Sequence, residues 1–132
     1  MGTEENKAIV RRWNEEIWKG NEAVFEEILA SDCVIHWMGG PKELKATIAR
    51  MRTIFSRISL KVEDQLATGD KVVTRWTLYG VQTRKLWGVP PTGKQVIYTG
   101  ITINRLAKGK IVEEWCEGNL LSLMQQIGAF PC

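Results

Sequence analysis

Apolar residues recur at helical spacing through the first part of the chain and alternate with polar ones through most of the rest. Across residues 4–19, Ile9, Val10, Trp13 and Ile17 fall on one face of a helix, with Thr3 placed as an N-cap and Gly20 as a stop. Asn21 can cap a shorter second helix carrying Val24, Phe25, Ile28 and Leu29. Cys33-Val34-Ile35-His36-Trp37 is rich in β-branched and aromatic residues and predicts a strand. Gly39-Gly40-Pro41 breaks the chain, and proline at the first helical position starts a third helix whose stripe is Leu44, Ile48, Met51 and Phe55.

From residue 58 the period becomes two. Ile58, Leu60, Val62 and Leu66 alternate with Ser59, Lys61, Glu63 and Gln65, the pattern of a half-buried strand. Gly69-Asp70 predicts a tight hairpin turn. The strand after it, Val72 to Leu78, has apolar groups on both faces and should be covered on both. Gln95 to Leu106 and Lys110 to Cys116 read as further strands joined by a turn at Lys108-Gly109, and Leu120 to Gln126 reads as a short final helix or turn. Helices followed by an antiparallel meander make an α+β domain, a single unit over residues 1–132.

Composition narrows the function classes. The chain has 132 residues, and its 18 Lys and Arg against 15 Asp and Glu leave +3 with the signs interspersed, too weak and mixed for a nucleic-acid or membrane footprint. No apolar run nears the roughly 20 residues of a membrane helix, and the first residues lack the pattern of a signal peptide, so a cytoplasmic protein is expected. Cys33, Cys116 and Cys132 stand in no metal-ligand spacing, and His36 is the single histidine. The expectation is buried thiols, no metal and no cofactor. Six Trp, three Phe and two Tyr suit a domain that encloses an apolar cavity.

Gly88-Val89-Pro90-Pro91-Thr92-Gly93-Lys94 has the spacing of a phosphate-binding loop. The chemistry fails: Gln95 stands where a Ser or Thr must hold magnesium, two prolines remove backbone donors, and a strand follows where a helix N-terminus is required. A rigid inter-strand loop is the better reading.

Several stretches together resemble the SnoaL-like polyketide cyclases of the nuclear transport factor 2-like superfamily: Gly69-Asp70-Lys71-Val72, Arg75-Trp76-Thr77, Pro90 to Lys94, Ile101-Thr102-Ile103 with Arg105, Gly109 to Trp115, and Gln125 to Gly128. The resemblance runs from Ile9 to Phe130. It implies three N-terminal helices packed on a strongly curved, mainly antiparallel sheet that forms a cone with an internal pocket, and a homodimer paired through the outer sheet face. It also implies cofactor-independent ring closure or isomerisation of a small hydrophobic, polyketide- or terpenoid-like metabolite by general acid/base proton transfer.

The family's usual catalytic aspartate falls at Asn119, an amide that can hydrogen-bond an oxyanion but does not titrate near neutral pH. If Asn119 faces the pocket, alternation from Ile111 puts Glu113, Trp115 and Glu117 on the same side. Glu117 then becomes the candidate acid, unless twist, a bulge or a lysine partner turns it to solvent. His36 matches a histidine common in the family and is either a second proton carrier or structural. Gln82 stands where relatives often have histidine and, with Trp115, Trp37 and Asp64, is expected to contact substrate. Asp64 interrupts an apolar face and implies either an ion pair with Arg75 or Arg105, a local bulge, or an acid-arginine-acid site like that of the related epoxide hydrolases. Two other functions stay open: a non-catalytic small-molecule carrier, and an epoxide or ester hydrolase.

Overall fold

The computed structural model describes residues 2–129; Cys132 lies outside them. The elements follow in the order α1 (Thr3–Glu16), a 3-10 turn (Ile17–Lys19), α2 (Ala23–Ile28), β1 (Leu29–Ile35), α3 (Pro41–Ile54), β2 (Phe55–Thr68), β3 (Lys71–Gln82), β4 (Gln95–Ala107), β5 (Lys110–Gly118) and α4 (Leu120–Gln126). The strands form one sheet in the order β1-β5-β4-β3-β2. From β2 to β5 it is an antiparallel meander, and β1 joins β5 in parallel. The helices pack over one face of this open, mixed sheet, giving the α+β cone that the resemblance implies.

Local differences from the sequence expectations have physical causes. Gly2, not Thr3, holds the N-cap position of α1, with no side-chain cap. The helix tightens into a 3-10 turn after Glu16 and stops at Gly20, whose φ of 84° lies in the left-handed region that glycine tolerates. Leu29 and Phe55, expected as the last apolar residues of helices, instead open β1 and β2. Both are buried, and an apolar residue next to a helix end satisfies either period.

Cross-strand pairs define the two faces of the sheet, because directly opposed residues share a face. One row runs Ala67, Val72, Asn104, Glu114, and another runs Val62, Trp76, Gly100, Gly118; both lie on the helix-covered inner side. The rows Leu66, Val73, Ile103, Trp115 and Asp64, Arg75, Ile101, Glu117 lie on the outer side. A register shift between Val62 and Asp64 inserts Glu63 into β2 and reverses its alternation. Gln65 therefore turns inward to accept burial beside Thr74, donating Nε2 to its hydroxyl at 3.2 Å, while Leu66 becomes 64% exposed.

Two apolar clusters hold the interior. Val10, Trp13 and Ile17 of α1 join Val24, Ile28, Leu29, Ile35, Leu44, Ile48, Val72, Leu106 and Ile111. Ile54, Phe55, Leu86, Val96, Leu123 and Ile127 form the second. Burying each of these side chains contributes about 1.5–3 kcal/mol, yet the clusters do not merge. The space between them is the cavity.

Candidate active site

The cavity has a volume of about 270 Å³, and its lining is mostly aromatic and aliphatic, with Trp13, Trp18, Trp37, Trp76 and Trp87 contributing. β5 supplies one wall through Glu114, Cys116 and Gly118, and Leu120 follows at the start of α4. Burial falls along this series from Glu114 to Leu120, which is 46% exposed. Glu114 is therefore the most buried member of this series, roughly 13 Å from Gly118 for four residues of extended strand.

Glu114 is the single carboxylate among the lining residues. Only 5% of it is exposed, and its hydrogen bonds are defined on both oxygens. The Trp37 indole Nε1 donates to Oε2 at 3.1 Å, and the Asn104 Nδ2 donates to Oε1 at 3.0 Å. No Lys, Arg or His lines the cavity among the described residues. Burial raises the Glu114 pKa above the ordinary carboxylate value, and the two donors offset part of that rise. Such a group holds its proton more tightly than an exposed carboxyl does and can release it to, or take it from, a bound molecule.

Its neighbour behaves oppositely. Glu113 faces outward and accepts from Arg105 Nε at 2.8 Å, with His36 Nε2 at 2.6 Å on its other oxygen. Those bonds lower the Glu113 pKa. Two adjacent glutamates are thus separated by the pleat into an ion-paired surface carboxylate and a desolvated interior acid, a divergence that marks candidate acid/base groups.

Cys116, Thr102 and Tyr98 are further polar wall groups on β5 and on β4 beside it. Burial pushes the Cys116 thiol up to about 11, so it is no thiolate nucleophile. Burial likewise raises the Tyr98 phenol, which stays a neutral donor. Trp76 Nε1 donates to Thr102 Oγ1 at 2.8 Å, fixing its ring over the wall. The Cys33 thiol is buried and raised to about 12, an inert core group.

The sequence-derived candidates separate. Trp37 lines the cavity as expected and binds the acid directly. Glu117, Trp115 and His36 lie on the outer side, contrary to expectation: Glu117 and His36 are exposed, and the His36 ring stacks on Trp115 at 4.9 Å. Asn119 has left the strand; its Oδ1 accepts from Ser122 N at 3.1 Å and caps α4. Asp64 is exposed opposite Arg75 beyond the Glu63 bulge, so no acid-arginine-acid set among the described residues faces the cavity. Gln82 is fully buried but does not line the cavity; its amide is bonded to the loop that follows β3.

The alternation of β5 breaks twice, so its pocket face differs from the one the sequence pattern predicts. Arg105 opposes Glu113 while Leu106 opposes Ile111, leaving Val112 as an extra residue, so Ile111 and Glu114 both point inward. Extrapolating from Asn119 fails too, because that residue belongs to a helix cap. The strand glycines carry the signal that finds the correct side. A Cβ at Gly118 would fall on the Tyr98 ring, and one at Gly100 on the Trp76 ring. Glycine inside a strand marks such a close approach, and Gly118 shares the parity of Glu114.

Removing a donor from Glu114 should move its titration in a known direction. In Trp37→Phe, loss of the indole N–H withdraws a bond that favours the carboxylate, so the Glu114 pKa rises further. Carbon-13 NMR titration of labelled glutamate side chains reads this; an unchanged or lowered value would show that the indole contributes nothing to the acid.

Similar proteins agree with this architecture. Among solved structures, TsrD from Streptomyces laurentii superposes with a TM-score of 0.88 at 23% identity, over 98% of this chain and 99% of that one. IdmH from Streptomyces antibioticus, described as a candidate polyketide cyclase, gives 0.86 at 25% identity over 93% and 98%. A candidate SnoaL-like polyketide cyclase from Jannaschia sp. CCS1 gives 0.83 at 28% over 98% and 95%. A search of curated proteins gave no match. The family model of the SnoaL-like polyketide cyclases matches residues 8–127, from within α1 to the end of α4 and covering all five strands, and on that match the chain belongs to the SnoaL-like polyketide cyclase family.

Proposed function

We propose that this protein is a cofactor-independent cyclase or isomerase that moves a proton through Glu114 on a small, hydrophobic, carbonyl-bearing metabolite. The observation that carries the reading is a desolvated carboxyl, the one carboxylate among the described lining residues, in the wall of a mostly apolar cavity. As carboxylate, Glu114 takes a proton from carbon next to the carbonyl; as acid, it returns that proton to carbon or oxygen after the enolate has rearranged or closed a ring. Water is disfavoured by the apolar walls, which strengthens each hydrogen bond inside. Kinship with the cyclase family and likeness to the candidate cyclase IdmH support the same reaction class.

The test uses 2-tetralone, a bicyclic ketone with exchangeable α protons. In heavy water the protein should accelerate deuterium incorporation at those positions, and Glu114→Gln should not. Equal exchange by both proteins rejects Glu114 as the proton carrier. A carrier would bind the ketone without accelerating exchange, and a hydrolase would instead incorporate labelled oxygen from water into its product.

The outer face supports a homodimer as part of this reading. Leu66, Ile97 and Ile101 are 64%, 45% and 48% exposed there, beside the Trp115–His36 stack. Ile101→Lys would bury a charge in that interface and should convert the dimer to monomer in analytical ultracentrifugation; a wild-type monomer at micromolar concentration would exclude the interface. Free Cys33 and Cys116 thiols suit a reducing compartment and keep the cytoplasmic reading. No helix among the described residues is long and apolar enough to cross a membrane.

A further inference from the structure

We infer that Trp87 is a specificity-determining residue that holds the outer part of an elongated apolar ligand at the cavity mouth, and that Gln82 is its positioning residue. The inference rests on the cavity being a ligand site, as proposed above, but not on the chemistry of Glu114. Leu86 and Val89 bridge each other, with N–H to carbonyl bonds of 3.0 and 2.8 Å in the two directions. Between them Trp87 has φ 51° and Gly88 has φ 77°, the two left-handed residues of a type I′ turn. Such a turn favours Asn, Asp or Gly at its first central position, and a bulky residue there is a conformational outlier.

The outlier persists because its surroundings hold it. Leu86 is 3% exposed and anchored in the second apolar cluster. Gln82, fully buried at the end of β3, spends its whole amide on the loop. Nε2 donates to Arg84 O at 3.2 Å and Val89 O at 3.4 Å, and Oε1 accepts from Thr92 N at 3.3 Å and Thr92 Oγ1 at 3.0 Å. A hydrocarbon of the same size could make none of these bonds. The clamp fixes a segment with little regular structure, and its product is an indole that lines the cavity while 45% exposed.

Backbone strain at a ring that gains little burial points to a role outside folding. Leu120, at the same end of the wall, also lines the cavity while 46% exposed. Apolar surface therefore continues from the cavity onto its rim. A ligand that fits wholly inside needs no such extension, whereas one with a reacting head near Glu114 and an apolar tail longer than the cavity covers it. The ligand class is an aryl or alkyl ketone whose tail reaches the indole.

Phenyl alkyl ketones of two lengths separate the roles. Acetophenone and octanophenone are titrated by calorimetry into wild type, Trp87→Asn and Gln82→Met. Asparagine suits the left-handed turn, so Trp87→Asn should unfold at the same temperature or higher. It should lose about tenfold or more affinity for octanophenone, the order expected for removing a large aromatic contact, and keep its affinity for acetophenone. Gln82→Met should show the same length-selective loss, with the double variant no worse than Trp87→Asn alone. Equal losses for both ketones, no loss for either, or a wild type that binds neither would overturn the inference. Should Gln82→Met fail to fold, Trp87→Asn still decides the role of the indole. Failure of the proton-transfer reading shows in deuterium exchange, whereas failure of this inference shows in the length dependence of ketone binding.

Discussion

Glu114→Gln is expected to reduce proton exchange by about 10²- to 10⁴-fold, the range for losing a positioned general acid/base, while the protein keeps its fold and its affinity for ketones. The amide is nearly isosteric, but only one of its ends accepts. Trp37 Nε1 can still donate to the carbonyl end. At the other end the new amide NH₂ would face the Asn104 Nδ2, and Asn104 can answer by rotating its amide, because its Oδ1 has no partner in the native protein. The substitution thus moves the unpaired end of Asn104 from oxygen to nitrogen and adds no further buried unpaired group as it removes the titrating one.

The same variant carries a stability signature that separates loss of chemistry from loss of structure. Glu114 has a raised pKa when folded, so between the ordinary carboxylate pKa and the raised value the native state binds more protons than the unfolded state. Stability then falls as pH rises through that window, and the cost persists above it. Glu114→Gln removes the slope. Thermal unfolding at pH 8 should occur at a higher temperature than in wild type, while at pH 4 the two should coincide. Exchange by the wild type should rise with pH as Glu114 loses its proton. Glu117→Gln and His36→Gln, on the outer side, should leave exchange unchanged; loss of exchange in either would return the acid to the outer side.

Gly100→Ala is expected to destabilise the protein by about 1–3 kcal/mol, the usual cost of forcing a group into a filled interior. A methyl there would press on the Trp76 ring and stand 2.7 Å from the Glu117 carbonyl oxygen. The backbone cannot retreat easily, because Gly100 lies between β3 and β5, opposite Trp76 and Gly118. Trp76 is also tied through its indole N–H to Thr102, so its ring must break that bond to move. For a domain of this size the midpoint of thermal unfolding should fall by roughly 4–12 °C. An unchanged midpoint would mean that the wall yields without cost, and the cavity would not be the rigid container that proton transfer requires.

Local pattern along the chain is enough to set the element order. Val10, Trp13 and Ile17 can be buried together only on a helix, Pro41 can start α3 but not continue one, and Gly69-Asp70 turns β2 back into β3. These are local properties, set by a residue's own dihedral preferences and by the period of its neighbours. The family was legible too, since spaced motifs survive in order along the chain. The inner face of β5 was not. It depends on Val112 and Glu63 being extra residues relative to their partner strands, and a bulge exists only between two strands, so neither strand's sequence contains it. The site followed the same division. A glutamate pair at 113 and 114 is visible in the sequence, but which becomes an ion-paired surface group and which a desolvated acid is decided by a half-turn of the pleat. Only tertiary structure fixes that choice, because desolvation comes from the helices and tryptophans that arrive from elsewhere in the chain.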